Sequence, residues 1–251
     1  LKDSGGGLDR ASDGGNNRER TGGNRGVGPG RQEAGGADLP RHEGDRDRPG
    51  VVCKLGGSLL DWPGLPRLLD HLLERSRATG LVMVVGGGAT ADLVRHWDAL
   101  FQLGEERAHW LALESLELNE RLVTHLRPIF RPVRSGPQAT AALHEGVPAI
   151  ICSSCFVRWG EKQPAAPPLP HAWRVTTDSI AAWVAHLLGG CELVLLKSLD
   201  LPAGLSWPDA ARTGLVDDYF PEAAAGLRQV SWLNARAEPW TEIAWPGEAA
   251  G

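Results

Sequence analysis

Val51-Val52-Cys53-Lys54-Leu55-Gly56-Gly57-Ser58 is a short apolar run that stops on two glycines. A run without polar alternation reads as a strand buried on both faces, and the glycine pair reads as the tight turn that ends it. Downstream, Leu65, Leu68, Leu69, Leu72 and Leu73 recur at helical spacing, leaving Asp70, Glu74, Arg75 and Arg77 for solvent. The same order returns at Leu81-Val82-Met83-Val84-Val85, then Gly86-Gly87-Gly88, then a helical stretch over 89–103. Further helices are predicted over 105–126, 137–145 and from Thr176 through Leu188, where Gly189-Gly190 stops the last of them. Strands are predicted at Ala149-Ile150-Ile151-Cys152 and at Leu193-Val194-Leu195-Leu196, the second running straight into Lys197-Ser198. Strands alternating with helices predict an α/β fold, a three-layer α/β/α sandwich around a mostly parallel central sheet. Ligands of such sheets gather beyond the carboxyl ends of the strands, where the glycine turns and both strand-end lysines fall.

Residues 1–50 read differently. Fourteen are Gly, none is aromatic, and Leu1, Leu8, Val27 and Leu39 are the only aliphatic side chains larger than Ala. So little apolar surface does not offset the entropy of ordering a chain, and this Gly/Arg/Asp-rich segment is predicted to be disordered. Its nine Lys or Arg balance nine Asp or Glu, so it lacks the positive excess of a nucleic-acid-binding arm, and it has no apolar core of a secretory signal. The folded domain is therefore assigned to residues 51–245. From residue 51 onward 17 Lys or Arg face 22 Asp or Glu, which argues against a nucleic-acid partner. No run reaches the 18 or so apolar residues of a membrane span, so no membrane partner is expected. Four cysteines, at 53, 152, 155 and 191, make no disulfide framework and suit a reducing cytoplasm. Cys152-Ser-Ser-Cys155 has ligand spacing but no second pair to complete a zinc site, so no protein metal site is assigned. Ten Trp leave aromatic surface for an interface, and a homo-oligomer is a possibility on that ground.

The basic residues are 22 Arg and only four Lys, at 2, 54, 162 and 197. Arg is a planar fork suited to bidentate contacts, whereas Lys is a compact point charge able to follow a moving phosphoryl group. Two of these scarce lysines, Lys54 and Lys197, stand at strand ends beside Gly or Ser. Glycine turns present outward amides that attract anions, so Gly56-Gly57 and Gly86-Gly87-Gly88 are candidate phosphate cradles, although Gly is also the ordinary exit from a strand. Phosphoryl transfer is driven mainly by positioning and charge stabilisation, which two converging ammonium groups can supply. Asp178 has two readings that are compatible: a helix N-cap, or a fixed anion between the lysines.

Four ordered motifs carry a resemblance. Lys54-Leu55-Gly56-Gly57-Ser58, Val85-Gly86-Gly87-Gly88, Thr176-Thr177-Asp178-Ser179-Ile180-Ala181-Ala182 and Leu195-Leu196-Lys197-Ser198-Leu199-Asp200 together resemble the amino-acid-kinase family, which includes acetylglutamate, uridylate, aspartate and carbamate kinases. The resemblance implies ATP-dependent transfer of the γ-phosphoryl group to a small anionic acceptor, with Mg²⁺ carried largely by phosphate oxygens and water. It implies catalytic roles for Lys54, Lys197 and Asp178, the last orienting the two lysines. It places Gly56, Gly57 and Ser58 on the transferred phosphate, Ser198 and Asp200 beside the nucleotide, and Gly86, Gly87 and Gly88 at the acceptor. Ala108-His109-Trp110 and Gly214-Leu215-Val216-Asp217-Asp218-Tyr219-Phe220 look most like the family's short kinases of methanofuran biosynthesis, which phosphorylate an aminomethyl-furan phosphate, and this brings His109 to the acceptor side. After Asp200 the chain departs from the family, reading Leu201-Pro202-Ala203-Gly204 where Asp-Gly-Val or Asp-Gly-Ile is usual.

Two other readings use the same residues. Gly86-x-Gly88-x-x-Ala91 fits a dinucleotide-binding turn and would make the chain an NAD(P)-dependent oxidoreductase, but the required acidic residue at the next strand end is missing and both lysines go unexplained. A protein of the same fold that holds nucleotide or oxyanion without turnover would keep the anion-binding features. No Gly-x4-Gly-Lys-Ser/Thr segment exists, which excludes a P-loop.

Overall fold

In the computed structural model, which describes residues 50–164, 167 and 169–247, one sheet organises the chain. Its strands are β1 (Val51–Leu55), β2 (Leu81–Val85), β3 (Arg131–Val133), β4 (Ala149–Ile151), β5 (Glu192–Lys197), β6 (Val230–Asn234) and β7 (Ile243–Ala244), in the order β3-β4-β2-β1-β5-β6-β7. All neighbours pair in parallel except β6 and β7. The reading of residues 1–50 lies outside the described residues except for Gly50. That glycine is buried, and the next amide, of Val51, donates to Gly80 O, so the packed core takes in Gly50 as well as the residues after it.

Every residue of β1 and β2 is buried, as unbroken apolar runs require when helices cover both faces. The alternation of side chains across the sheet divides the core in two. Val51, Cys53 and Leu55 face α1 (Leu65–Ser76), whose Leu65, Leu68, Leu69 and Leu72 fill that layer. On the other side Val52, Val82 and Leu195 pack with α6 (Thr177–Leu187), α4 (Gly136–His144), α5 (Ser153–Gly160), α7 (Trp207–Arg212) and α8 (Phe220–Ala224). Residues 177–185 of α6 are all buried, and Ala181, Ala182 and Ala185 are small enough to let it lie against the sheet.

The remaining helices, α2 (Gly88–Phe101) and α3 (Glu105–Leu126), pair with each other, and α3 also touches β2 and α5. α3 gives Leu113 and Leu116 to the α6 layer and Val123 to the α1 layer, so it ties the two cores together. Among the described residues no helix is long and apolar enough to cross a membrane.

Several elements are additional to the sequence reading. β3 carries Pro132 and two exposed residues, which a strand tolerates only at an edge, where it lies. α5 follows β4 with only Cys152 between them, so the two merge into one apolar stretch in the sequence. α7 does carry a cap signal, since Ser206 accepts from the Asp209 amide.

Candidate active site

Side-chain alternation places Lys54, the fourth residue of β1, on the α6 face, and Lys197, two residues beyond Leu195 on the neighbouring strand, points the same way. Asp178 in the first turn of α6 meets both. Lys54 Nζ lies 2.9 Å from Asp178 Oδ1, a close ion pair outside hydrogen-bond alignment, and Lys197 Nζ donates to Asp178 Oδ2 at 2.9 Å. The three side chains are 7%, 12% and 7% exposed for Lys54, Lys197 and Asp178. Lys197 also donates to Leu215 O at 2.6 Å, and its ammonium sits 5.4 Å from the centre of the Trp232 ring.

Two ammonium groups around one carboxylate leave an unbalanced positive charge in a buried place. Burial pulls Lys197 down to about 8; the like charge of Lys54 acts in the same direction and Asp178 opposes both. Burial alone would raise Asp178, but the two lysines outweigh it and hold the carboxyl below its usual range.

Asp178 is free for this contact because another residue caps the helix. Asp217, in the loop before α8, accepts from the Thr176 and Ser179 amides at 3.0 Å each and from the Thr176 hydroxyl at 2.7 Å, and it also takes the Ser179 hydroxyl. The N-cap alternative for Asp178 is thereby set aside. Thr176 is the N-cap residue, and its side chain makes no capping bond of its own. Sequence reasoning missed Asp217 as a cap because it is remote in the chain; its presence in Gly214–Phe220 was the available signal.

The two glycine turns interlock. A Cβ on Gly57 would stand 2.8 Å from Gly88 Cα and closer still to its amide, one on Gly86 would stand 2.8 Å from Leu55 O, and one on Gly56 would stand 2.8 Å from Leu196 O. Gly88 has φ +49, a conformation Gly takes without strain. From α3, Asn119 donates to Gly86 O at 2.9 Å and Gly87 O at 2.7 Å, fixing the second turn. Nothing in the sequence distinguishes this Asn from any polar residue on a helix. Gly57→Ala is expected to destabilise the fold by about 1–3 kcal/mol, because the clash is with backbone, and urea unfolding measures it.

Beyond β5, Ser58 Oγ donates to Ser198 Oγ at 3.0 Å, joining the predicted phosphate turn to the segment predicted to border a nucleotide. Asp200 is exposed and accepts from Asn234 at 2.8 Å, apart from the lysines.

A cleft of about 220 Å³ opens from Lys54, Gly57 and Ser58 and runs between α2 and α3. Gly88, Ala91, Asp92 and Arg95 of α2 and His109, Ala112, Leu113 and Leu116 of α3 line it, each set spaced i, i+3, i+4, i+7 and so each a single helix face. Trp173 and Thr176 close the third side. Thus Lys54, Gly57, Ser58, Gly87, Gly88 and His109 share one cleft, while Gly86 supports it from behind and Ser198 and Asp200 lie outside it. Among the described residues no group of three or more His, Cys, Asp or Glu is arranged to hold a metal ion.

A mostly parallel sheet flanked by helices, with its charged residues at the carboxyl ends of the central strands, is the frame of several small-molecule kinases. The model of the amino acid kinase family matches residues 49–200, and the chain belongs to that family, a class of small-molecule kinases. A (5-(aminomethyl)furan-3-yl)methyl phosphate kinase of Methanocaldococcus jannaschii is 22% identical over 182 residues, covering 68% of this chain and 80% of the relative. UMP kinase of Ureaplasma parvum superposes with a TM-score of 0.53 at 14% identity, over 78% of this chain and 99% of that one. Aspartate kinase of Synechocystis gives the same TM-score at 12% identity, over 78% of this chain and 40% of that one. At such identities the structural likenesses establish the fold.

The oxidoreductase reading drops out. Gly86 packs on the Gly57 backbone and its carbonyl is taken by Asn119, so this turn is filled by protein where a dinucleotide pyrophosphate would need room. The next strand, β3, ends on Val133 with no acidic residue.

Proposed function

We propose that the chain transfers the γ-phosphoryl group of ATP to a small acceptor with an anionic end, held in the cleft between α2 and α3. The observation that carries this reading is the buried Lys54–Asp178–Lys197 triad, whose Lys54 lines that cleft while Asp178 and Lys197 stand behind it. Its uncompensated positive charge is costly without an anion and becomes favourable with one, and the charge of a phosphoryl group is greatest in transfer. Asp178 keeps the two ammonium groups apart and fixed, so little reorganisation is needed when the phosphate arrives. At Gly57 and Gly88 the lack of a side chain lets the two turns meet backbone to backbone and leaves both bare along the cleft that Lys54 lines. Ser58 and Ser198 lie on the nucleotide side. Mg²⁺, when bound with ATP, would neutralise charge between phosphates, held largely by phosphate oxygens and water.

The acceptor of choice for a first test is (5-(aminomethyl)furan-3-yl)methyl phosphate, the compound named for the Methanocaldococcus jannaschii relative. The test is turnover of ATP and Mg²⁺ by the purified chain with that compound in a panel of phosphorylated and carboxylated acceptors. Phosphoryl transfer to at least one member supports the reading. Saturable ATP binding without transfer to any would replace it with the binding-protein reading.

Lys197 gives a pH signature. Its ammonium is lost above about 8, so kcat/KM for ATP, which reports the free enzyme, is expected to fall above that pH. The sign for stability is opposite. The folded state holds this proton less tightly than the unfolded chain, whose lysine titrates near 10.5, so between about 8 and 10.5 the unfolded state binds more protons and stability rises with pH. Lys197→Arg, which keeps its charge, should flatten the alkaline limb of the rate profile.

Residues 51–245 are proposed as the kinase domain. Removing residues 1–49 is expected to change neither ATP turnover nor melting temperature, since β1 takes its first backbone bond from Gly80. A loss of several degrees on truncation would refute this boundary.

A further inference from the structure

The end of the cleft away from the lysines has its own construction. Leu116, which would touch a Cβ on Gly87, and His109 are seven residues apart on α3, so at about 1.5 Å per residue the two ends lie about 10 Å apart. His109 is 6% exposed, and its Nε2 is sealed from solvent without a hydrogen-bond partner. Its ring stacks on that of His171, with centroids 4.5 Å apart and planes 13° from parallel. His171 in turn is bracketed, its Nδ1 2.5 Å from Glu106 Oε2 and its Nε2 2.6 Å from Glu161 Oε1. A ring that donates from both nitrogens to carboxylates is an imidazolium: partial burial works against the charge, and Glu161 and Glu106 outweigh it. That cation, face-on, adds to burial in keeping His109 neutral, pulling it down to about 4 against the opposing pull of Glu106.

The group as a whole therefore holds two carboxylates against one cation, and His109, which lines the cleft, adds a neutral imidazole whose Nε2 has no hydrogen-bond partner. A buried polar atom left unpaired is destabilising, and a ligand donor relieves this. The net negative charge behind it favours a donor, an amine or a hydroxyl, over a second anion.

We infer that His109 is a specificity-determining residue for the acceptor, its ring nitrogen taking a hydrogen bond from an amine or hydroxyl at the non-reacting end of a short molecule whose anionic end lies at Lys54. The inference rests on the cleft being the acceptor's, as proposed above, but is tested by binding alone. The probes are meta-(aminomethyl)benzyl phosphate and its near-isostere meta-ethylbenzyl phosphate, titrated calorimetrically into the full chain without nucleotide. The wild type is expected to bind the amine probe about tenfold or more tightly than the ethyl probe. His109→Phe keeps the ring against His171 and should bring the ratio near one while leaving ethyl-probe affinity within about twofold. His109→Gln, which restores a polar atom, should recover part of the preference. Equal affinities in the wild type, an unchanged ratio in His109→Phe, or no binding of either probe overturns the inference. If His109→Phe does not fold, the wild-type ratio and His109→Gln decide. A chain that discriminates the probes but never transfers phosphate refutes the kinase reading alone; one that turns over ATP without discriminating them refutes only the role of His109.

Discussion

Lys54→Met is expected to lower turnover by about 10²–10³-fold, the range found when one charge-stabilising donor is removed from an active site, without lowering the melting temperature. The reason is the charge count of the buried triad. Lys54 and Lys197 share the one bridging carboxylate of Asp178, with a weaker pull on Lys197 from Asp217, so the triad itself carries one net positive charge in a place that is almost closed to water. Met has a similar length and no charge. Its introduction leaves a neutral Lys197–Asp178 pair, already hydrogen-bonded at 2.9 Å, and relieves the repulsion that helps pull Lys197 down. Stability should hold or rise while the electrostatic pull on a phosphoryl group is halved. Lys197→Met should lower turnover alike, with some loss of stability because the hydrogen bonds of Lys197 to Asp178 and Leu215 O go with it. Steady-state kinetics set beside differential scanning calorimetry decides the matter, and near-normal turnover in both variants would remove the lysines from the chemistry.

Asp178→Asn has the opposite stability profile. The variant keeps the shape of the side chain but leaves two buried ammonium groups side by side without the carboxylate that bridges them, a defect of about 3–5 kcal/mol when a buried pair loses one partner. In a domain of this size that corresponds to a fall in melting temperature of roughly 6–20 °C. The wild-type carboxyl is held below its usual range, so its contribution is present at neutral pH and is lost as pH falls through that lowered value. Wild type and variant should therefore converge in acid. Urea unfolding at neutral and acid pH measures both, and a variant as stable as the wild type at neutral pH would mean that solvent already screens the triad.

The parts of this protein that local pattern controls were legible in the sequence. The runs at Val51–Leu55 and Leu81–Val85, with the leucine periodicity after the first and the glycine-led helical stretch after the second, marked the central strands, two of the helices and the sheet edge where charge collects. Scarcity singled out Lys54 and Lys197 as point charges. What remained hidden depends on contacts distant in sequence. Asp217 caps α6 from a loop 38 residues beyond Ser179, and Asn119 grips the second glycine turn from 32 residues beyond Gly87. Neither carries a local signature, because the partner that gives each its role is chosen by the fold. β3 and β6 were missed for different reasons: the first is short and carries a proline, and the second lay beyond the motifs that anchored the reading.

The meeting of Gly57 with Gly86 and Gly88 has a consequence for suppressor genetics. When a core side chain is enlarged, a neighbour can shrink to make room, and revertants at second sites are common in principle. Here the atoms that would be struck are amide nitrogens, α-carbons and carbonyl oxygens, which no codon change can trim. A screen for restored folding from an alanine at Gly57 should thus return true revertants or stabilising changes far from the turn, with compensating substitutions absent from Gly86, Gly87 and Gly88.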